Sequence, residues 1–202
     1  YSFYTELFVR SYLNFYNAVA ADFLFNQNYR FTSKFSLSHR ISLFPRFNGV
    51  GYTWSDNTQT IFAKRKVSTV ENILTAKYSF SNKMGITFRA RHYVSTVDNK
   101  AFYTLRNDGK LDPNSTFTGN TNRNVNFFNI DMVYTWQFAP GSFINIVWKD
   151  AVFDFDDQVE RNYFKNFRNT IEADQNNNLS LKIIYFLDYL QLKGHKKKSK
   201  TN

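Results

Sequence analysis

The stretch "FNIDMVYTWQFAPGSFINIVWKD" (Phe128–Asp150) sorts its residues by parity. Phe128, Ile130, Met132, Tyr134, Trp136 and Phe138 alternate with Asn129, Asp131, Thr135 and Gln137, and beyond "APGS" Ile144, Ile146 and Trp148 alternate with Asn145 and Lys149. Neighbouring side chains of a strand point to opposite faces, so this period of two predicts a hairpin with one apolar and one polar face. Pro and Gly at its centre punctuate the reversal.

Two further hairpins follow the same rule. In "VENILTAKYSFSNKMGITFRARHYV", turning at Asn82-Lys83, Leu74, Ala76, Tyr78, Phe80, Met84, Ile86, Phe88 and Ala90 share a face opposite Thr75, Lys77, Thr87, Arg89 and Arg91. In "NAVAADFLFNQNYRFTSKFSLSHRISLF", turning at Ser33-Lys34, Phe23, Phe25, Phe35, Leu37 and Ile41 oppose Asp22, Asn26, Arg30 and Arg40. The segment "FYTELFVRSYLNFY" reads as another strand. "NNLSLKIIYFLDYLQLK" (Asn177–Lys193) reads as the last, with Leu179, Leu181, Ile183, Tyr185, Leu187 and Tyr189 against Ser180, Lys182 and Asp188.

Seven or eight antiparallel strands are expected. Short turns alternate with longer polar segments at Arg46–Thr58, Asp98–Arg123 and Asp154–Asn176, the last with room for a short helix in "ERNYFKNFRNTIEADQ". This parity requires Thr58–Ser81 to be one long strand. Short turns at one end and long loops at the other are the habit of outer-membrane barrels.

Composition is compatible with that setting. The 202 residues suit one all-β domain or part of a larger one. Aromatics reach 19%, with 23 Phe and 13 Tyr, which favours strands. Mean hydropathy is −0.49 and no run approaches the length of a spanning helix, a fact that leaves strand-crossing barrels untouched. Without Cys, disulfides and thiolate metal sites are excluded. The chain begins at Tyr1, so a mature or truncated piece is expected, with N-terminal sequence missing.

The net charge is +10, and five of the lysines crowd "KGHKKKSKTN", where residues 194–202 are expected to form a basic, disordered tail behind a barrel segment at 1–193. Nucleic acid is an unsuitable partner. Single-strand binders interleave basic and aromatic side chains on one face, whereas here they take opposite parities.

A sandwich would turn the apolar parity to a shared core, a membrane barrel to lipid. The aromatic content of that face and the loop asymmetry favour an antiparallel transmembrane β-barrel, which also pairs every backbone group where water is absent. Phe31, Phe35, Tyr78, Phe80, Trp136 and Phe138 then form an aromatic girdle beside the short turns, and Gln27, His39 and Asn72 are polar defects in the lipid-facing parity. The lumen would be lined by Arg30, Arg40, Lys77, Arg89, Arg91, Lys149 and Lys182 with Asp22, Glu71, Asp131 and Asp188. Its positive excess favours anionic solutes if the lumen is open, and requires charge pairing if it is closed.

Beyond alternation, "FAKRKVSTVENILTAKYSFSNKMGITFRARHYVSTV", "FYTLRNDGKL", "FNIDMVYTWQFAPGSFINIVWKD" and "NYFKNFRNT", closed by "NNLSLKIIYFLDYLQLK", resemble the C-terminal part of a domain-of-unknown-function family of Bacteroidota outer-membrane proteins. The resemblance covers Ile61 to Lys193. It implies a barrel region that follows a carbohydrate-binding-module-like sandwich of the family-nine type, and that sandwich is absent from these residues. It implies no catalytic residues.

Function is therefore expected to be transport, or a part in an envelope complex of the bacterial outer membrane, with lipid, lipopolysaccharide and other outer-membrane proteins as partners. A second reading is a surface scaffold that binds glycan or protein through its long loops, with Phe102 and Tyr103 stacking on a sugar. Catalysis is not expected, because His39, His92 and His195 sit in no recognisable serine motif. His92 reads as an interfacial strand residue. The acidic loop with Asp150, Asp154, Asp156, Asp157 and Glu160 lacks the EF-hand spacing and reads as solvated, so neither metal nor cofactor is expected.

Overall fold

The computed structural model describes residues 2–12 and 17–187. The fold is all-β and antiparallel, with a single short helix among the described residues. The strands are β1 (Ser2–Tyr12), β2 (Ala18–Arg30), β3 (Phe35–Ser55), β4 (Thr60–Ser81), β5 (Met84–Leu105), β6 (Leu111–Asn114), β7 (Arg123–Ala139), β8 (Ser142–Asp156) and β9 (Gln175–Ile184), with α1 (Tyr163–Glu172) between β8 and β9. They form one open sheet in the order β1-β2-β3-β4-β5-β7-β8-β9, with β6 paired back onto β5.

All three short turns fall where the alternation places them. β2 ends at Arg30 and β3 begins at Phe35; β4 and β5 are joined through Asn82-Lys83; β7 and β8 through Pro140-Gly141. Gly141 has φ +70°, a conformation that suits glycine, and it follows Pro as in a type II turn. β4 runs unbroken for 22 residues, as the parity argument requires.

The opposite end differs from expectation. Arg46–Thr58 is not a long loop: β3 continues to Ser55 and reverses within Asp56–Gln59. Asp56 Oδ1 accepts from the amides of Thr58 (2.7 Å) and Gln59 (2.8 Å), a local geometry that Asx side chains favour. A bulge between Arg46 and Gly49, with Asn48 at φ 56°, shifts the parity and hides this strand half from a period-two reading. Asp98–Arg123 likewise begins as strand and contains β6. With β6 included there are nine strands among the described residues, rather than seven or eight.

The last strand is shorter than expected. It stops at Ile184, and Tyr185–Leu187 are not strand. Asp188, Tyr189, His195 and the basic tail lie outside the described residues.

No second layer of sheet covers the apolar parity among the described residues. Among the described residues the buried apolar side chains are few and mostly small: Ala18, Ala20, Ile61, Ala63, Val94 and Val152. Leu181 and Ile183 are instead 64% and 60% exposed.

Candidate functional site

The register brings the polar residues to one face. Arg30 opposes Ser36, which opposes Lys77. In the next row Ser38 opposes Thr75, Thr75 opposes Arg89, Arg89 opposes Asp131, and Asp131 opposes Lys149. Arg40, Ile73, Arg91 and Asn129 follow in a third row, and Lys182 opposes Asn145 at the β9 edge. Neighbouring strands lie about 4.8 Å apart, so these charges form an array across the sheet.

A hollow of about 510 Å³ opens on this face, lined by Arg30, Lys77 and Arg89 together with Ser36, Ser38 and Thr75. Ser2 of β1 lines it too, although β1 and β5 are four strands apart. The polar face is thus the concave one.

The charges are unequally paired. Lys149 Nζ lies 4.0 Å from Asp131, and Arg46 takes Asp22. Arg40 donates through Nε to Asn26 Oδ1 at 2.7 Å, and Arg30 caps the turn carbonyls of Thr32 and Ser33. Among the described residues, none of Arg30, Arg40, Lys77, Arg89, Arg91 and Lys182 has a carboxylate within 4.0 Å. The hollow therefore presents three cations and several hydroxyls without a carboxylate in its lining, a surface that attracts anions.

Farther from the short turns the two faces exchange character. Tyr93, Phe127 and Phe153 sit in lateral register on the polar side, with ring centroids 6.0 and 4.7 Å apart. On the convex side, at the same height, α1 covers the sheet.

Asn162 caps the start of α1, its side chain accepting from the amides of Phe164 and Lys165. Glu160 accepts from Lys165 Nζ (2.6 Å) and from the Asn162 amide (2.8 Å). These bonds hold its carboxyl below the usual range, the Lys165 contact most of all. Tyr163 Oη lies 3.0 Å from His92 Nδ1 and accepts from Asn72 Nδ2 at 3.1 Å, while Asn72 Oδ1 meets His39 Nε2 at 2.6 Å. Asn166 Oδ1 accepts from Asn124 (2.7 Å) and Asn126 (3.3 Å), and its amide donates to the Glu160 carbonyl.

This junction was not foreseen. His39 and Asn72, read as isolated defects, belong to a chain of polar contacts, and His92, read as an interfacial strand residue, is buried beneath Tyr163 and Phe167. The signal in the sequence was the set of polar residues on an apolar parity in three successive strands. Their partner, Tyr163, lies 71 residues beyond His92. Asp150, expected to be solvated, is buried on this same face.

At the loop end, Phe102 packs against Phe117 (4.9 Å), which meets Trp54 (5.3 Å). Phe102 is thus part of an aromatic cluster, and with Tyr103, Pro113 and Asn114 it lines an open hollow of about 360 Å³.

Comparison with curated proteins and with solved structures finds no match. A family described as a domain of unknown function (DUF5916) matches residues 1–196, which extends the likeness well before Ile61. With nearly its whole length matched, the chain belongs to that family.

Proposed function

We propose that the chain is a segment of an outer-membrane β-barrel of a Gram-negative envelope, its convex apolar face against lipid and its concave polar face on an aqueous lumen. It acts in transport or as one part of an envelope complex, through charge rather than covalent chemistry. Lipid, lipopolysaccharide and other outer-membrane proteins are its partners.

One observation carries this reading. Beside the short turns the rings form a row: Tyr29, Phe31, Phe35, Tyr78, Phe80 and Tyr134 follow one another at centroid distances of 4.2, 5.0, 6.4, 4.9 and 6.5 Å, and Trp136, Phe138 and Tyr185 extend it at 6.0 and 6.2 Å. Phe80 and Trp136 are 45% and 42% exposed. Left in water, such a row forfeits the burial that aromatic side chains ordinarily gain; at a headgroup boundary it is the expected girdle.

The test is reversal-potential measurement on the protein extracted from its native envelope into planar bilayers. Anion preference is expected, and the pair Lys77→Glu with Arg89→Glu should move it toward cations. Absent conductance, or a preference indifferent to that pair, counts against the channel form of the reading.

A second reading, a scaffold for glycan or protein partners, draws on the hollow beside Phe102 and Tyr103. Removing residues 106–122 without loss of ligand uptake or of co-purifying partners would argue against it.

A further inference from the structure

We propose that α1 is an interfacial helix whose outer side, Phe164, Arg168 and Ile171, enters the bilayer boundary and meets phosphate-bearing lipid headgroups. The inference rests on the lipid-facing reading of the convex face.

Its first ground is the polar inner side of the helix, which leaves Phe164 and Ile171 outside among Lys165, Arg168, Asn169 and Glu172. A surface helix of a water-soluble domain turns its apolar stripe inward and its polar stripe out. Here Asn166 and Thr170 are buried against the sheet, with Tyr163 and Phe167 beside them, and three of these four are polar and hydrogen-bonded. Phe164 and Ile171, seven positions apart and so on one side, are exposed at 78% and 39%.

Height is the second. On the convex face Trp136 lies in the Met84 row and Phe128 in the His92 row, eight residues farther along the strand. At roughly 3.3 Å per residue and a tilt near 40°, that rise is about 20 Å, close to the height of an outer-membrane apolar band. The helix starts where the band ends, since Tyr163 is bonded to His92 and Asn166 to Asn124 and Asn126 above it.

Charge is the third. Arg168 is exposed and has no carboxylate within 4.0 Å among the described residues, while Lys165 is engaged by Glu160. A helix with Phe and Ile flanking a free cation is suited to anionic headgroups, with the apolar residues in the acyl boundary and the guanidinium on phosphate.

The chain has no cysteine, so single labels can be placed cleanly. Phe164→Cys, Leu181→Cys and Asp108→Cys are each labelled with an environment-sensitive fluorophore, and the protein is reconstituted in phosphatidylglycerol–phosphatidylcholine vesicles. Lipids spin-labelled near the headgroup or at mid-chain and aqueous iodide serve as quenchers. Position 164 should be quenched by the shallow spin label more than by the deep one and be shielded from iodide. Adding Arg168→Glu should weaken that quenching. Position 108 should respond to iodide alone. Iodide quenching at 164 with lipid quenching at 181 would overturn the role of α1 and leave the barrel reading standing; no lipid quenching at 181 would overturn both.

Discussion

Tyr163 Oη and His92 Nδ1 meet at 3.0 Å, and this contact between α1 and the middle of β5 fixes where the helix rests on the sheet. Tyr163→Phe keeps the ring contact with His92 but removes the hydroxyl, leaving Asn72 Nδ2 and His92 Nδ1 without it. The expected loss is about 1–2 kcal/mol, seen as faster amide hydrogen exchange in α1 with the exchange of β4 unchanged.

Asn166 has the larger share of the same junction. It is buried, and its amide serves three partners, Asn124, Asn126 and the Glu160 carbonyl. Asn166→Leu strands those groups in a buried site, at a cost of roughly 1–3 kcal/mol for each buried group left unsatisfied. Its effect on α1 exchange should exceed that of Tyr163→Phe.

Acid should release the helix start. The Glu160 carboxyl is held below its ordinary value of 4.5 by Lys165 and the Asn162 amide. A carboxyl depressed in the folded state contributes stability that is present above its unfolded pKa and is lost as pH falls through the folded one. Proteolysis within residues 157–162 should therefore be constant at neutral pH and rise only below 4.5. Glu160→Gln should show a raised rate at neutral pH and a smaller further rise on acidification, because the Asp98 carboxyl that holds Arg161 at 2.9 Å still titrates.

Gly141 tests the β7–β8 hairpin. A Cβ there would lie 2.9 Å from the Cβ of Phe186, on a backbone at φ +70°. Gly141→Ala should destabilise the hairpin by at least about 1 kcal/mol from the backbone conformation alone, read as a lower urea midpoint for refolding into detergent.

How much of this was legible beforehand depended on the range of the interaction. Phe128–Phe138 and Ile144–Trp148 announce their strands because alternation is local, and Pro140-Gly141 announces its turn for the same reason. The 163–172 helix lay inside a segment where only room for one was noted. The far half of β3 escaped because Pro45 and the bulge at Asn48 break the period just where the strand continues. Alternation puts the basic residues on one parity, but the gathering of Arg30, Lys77 and Arg89 around one hollow needs the register of four strands. The burial of His92 under α1 is not legible locally, because Tyr163, which covers it, is remote in sequence.

The exposed apolar row and the charged concave face lead to one measurement. Single cysteines are placed at each position from Phe128 to Phe138 in the protein as it sits in native envelope membranes, and labelling by a membrane-impermeant maleimide is recorded. The account predicts a period of two, with 129, 131, 133, 135 and 137 labelled and 128, 130, 132, 134, 136 and 138 protected until detergent is added. Labelling of both parities, or protection of the odd one, would contradict it.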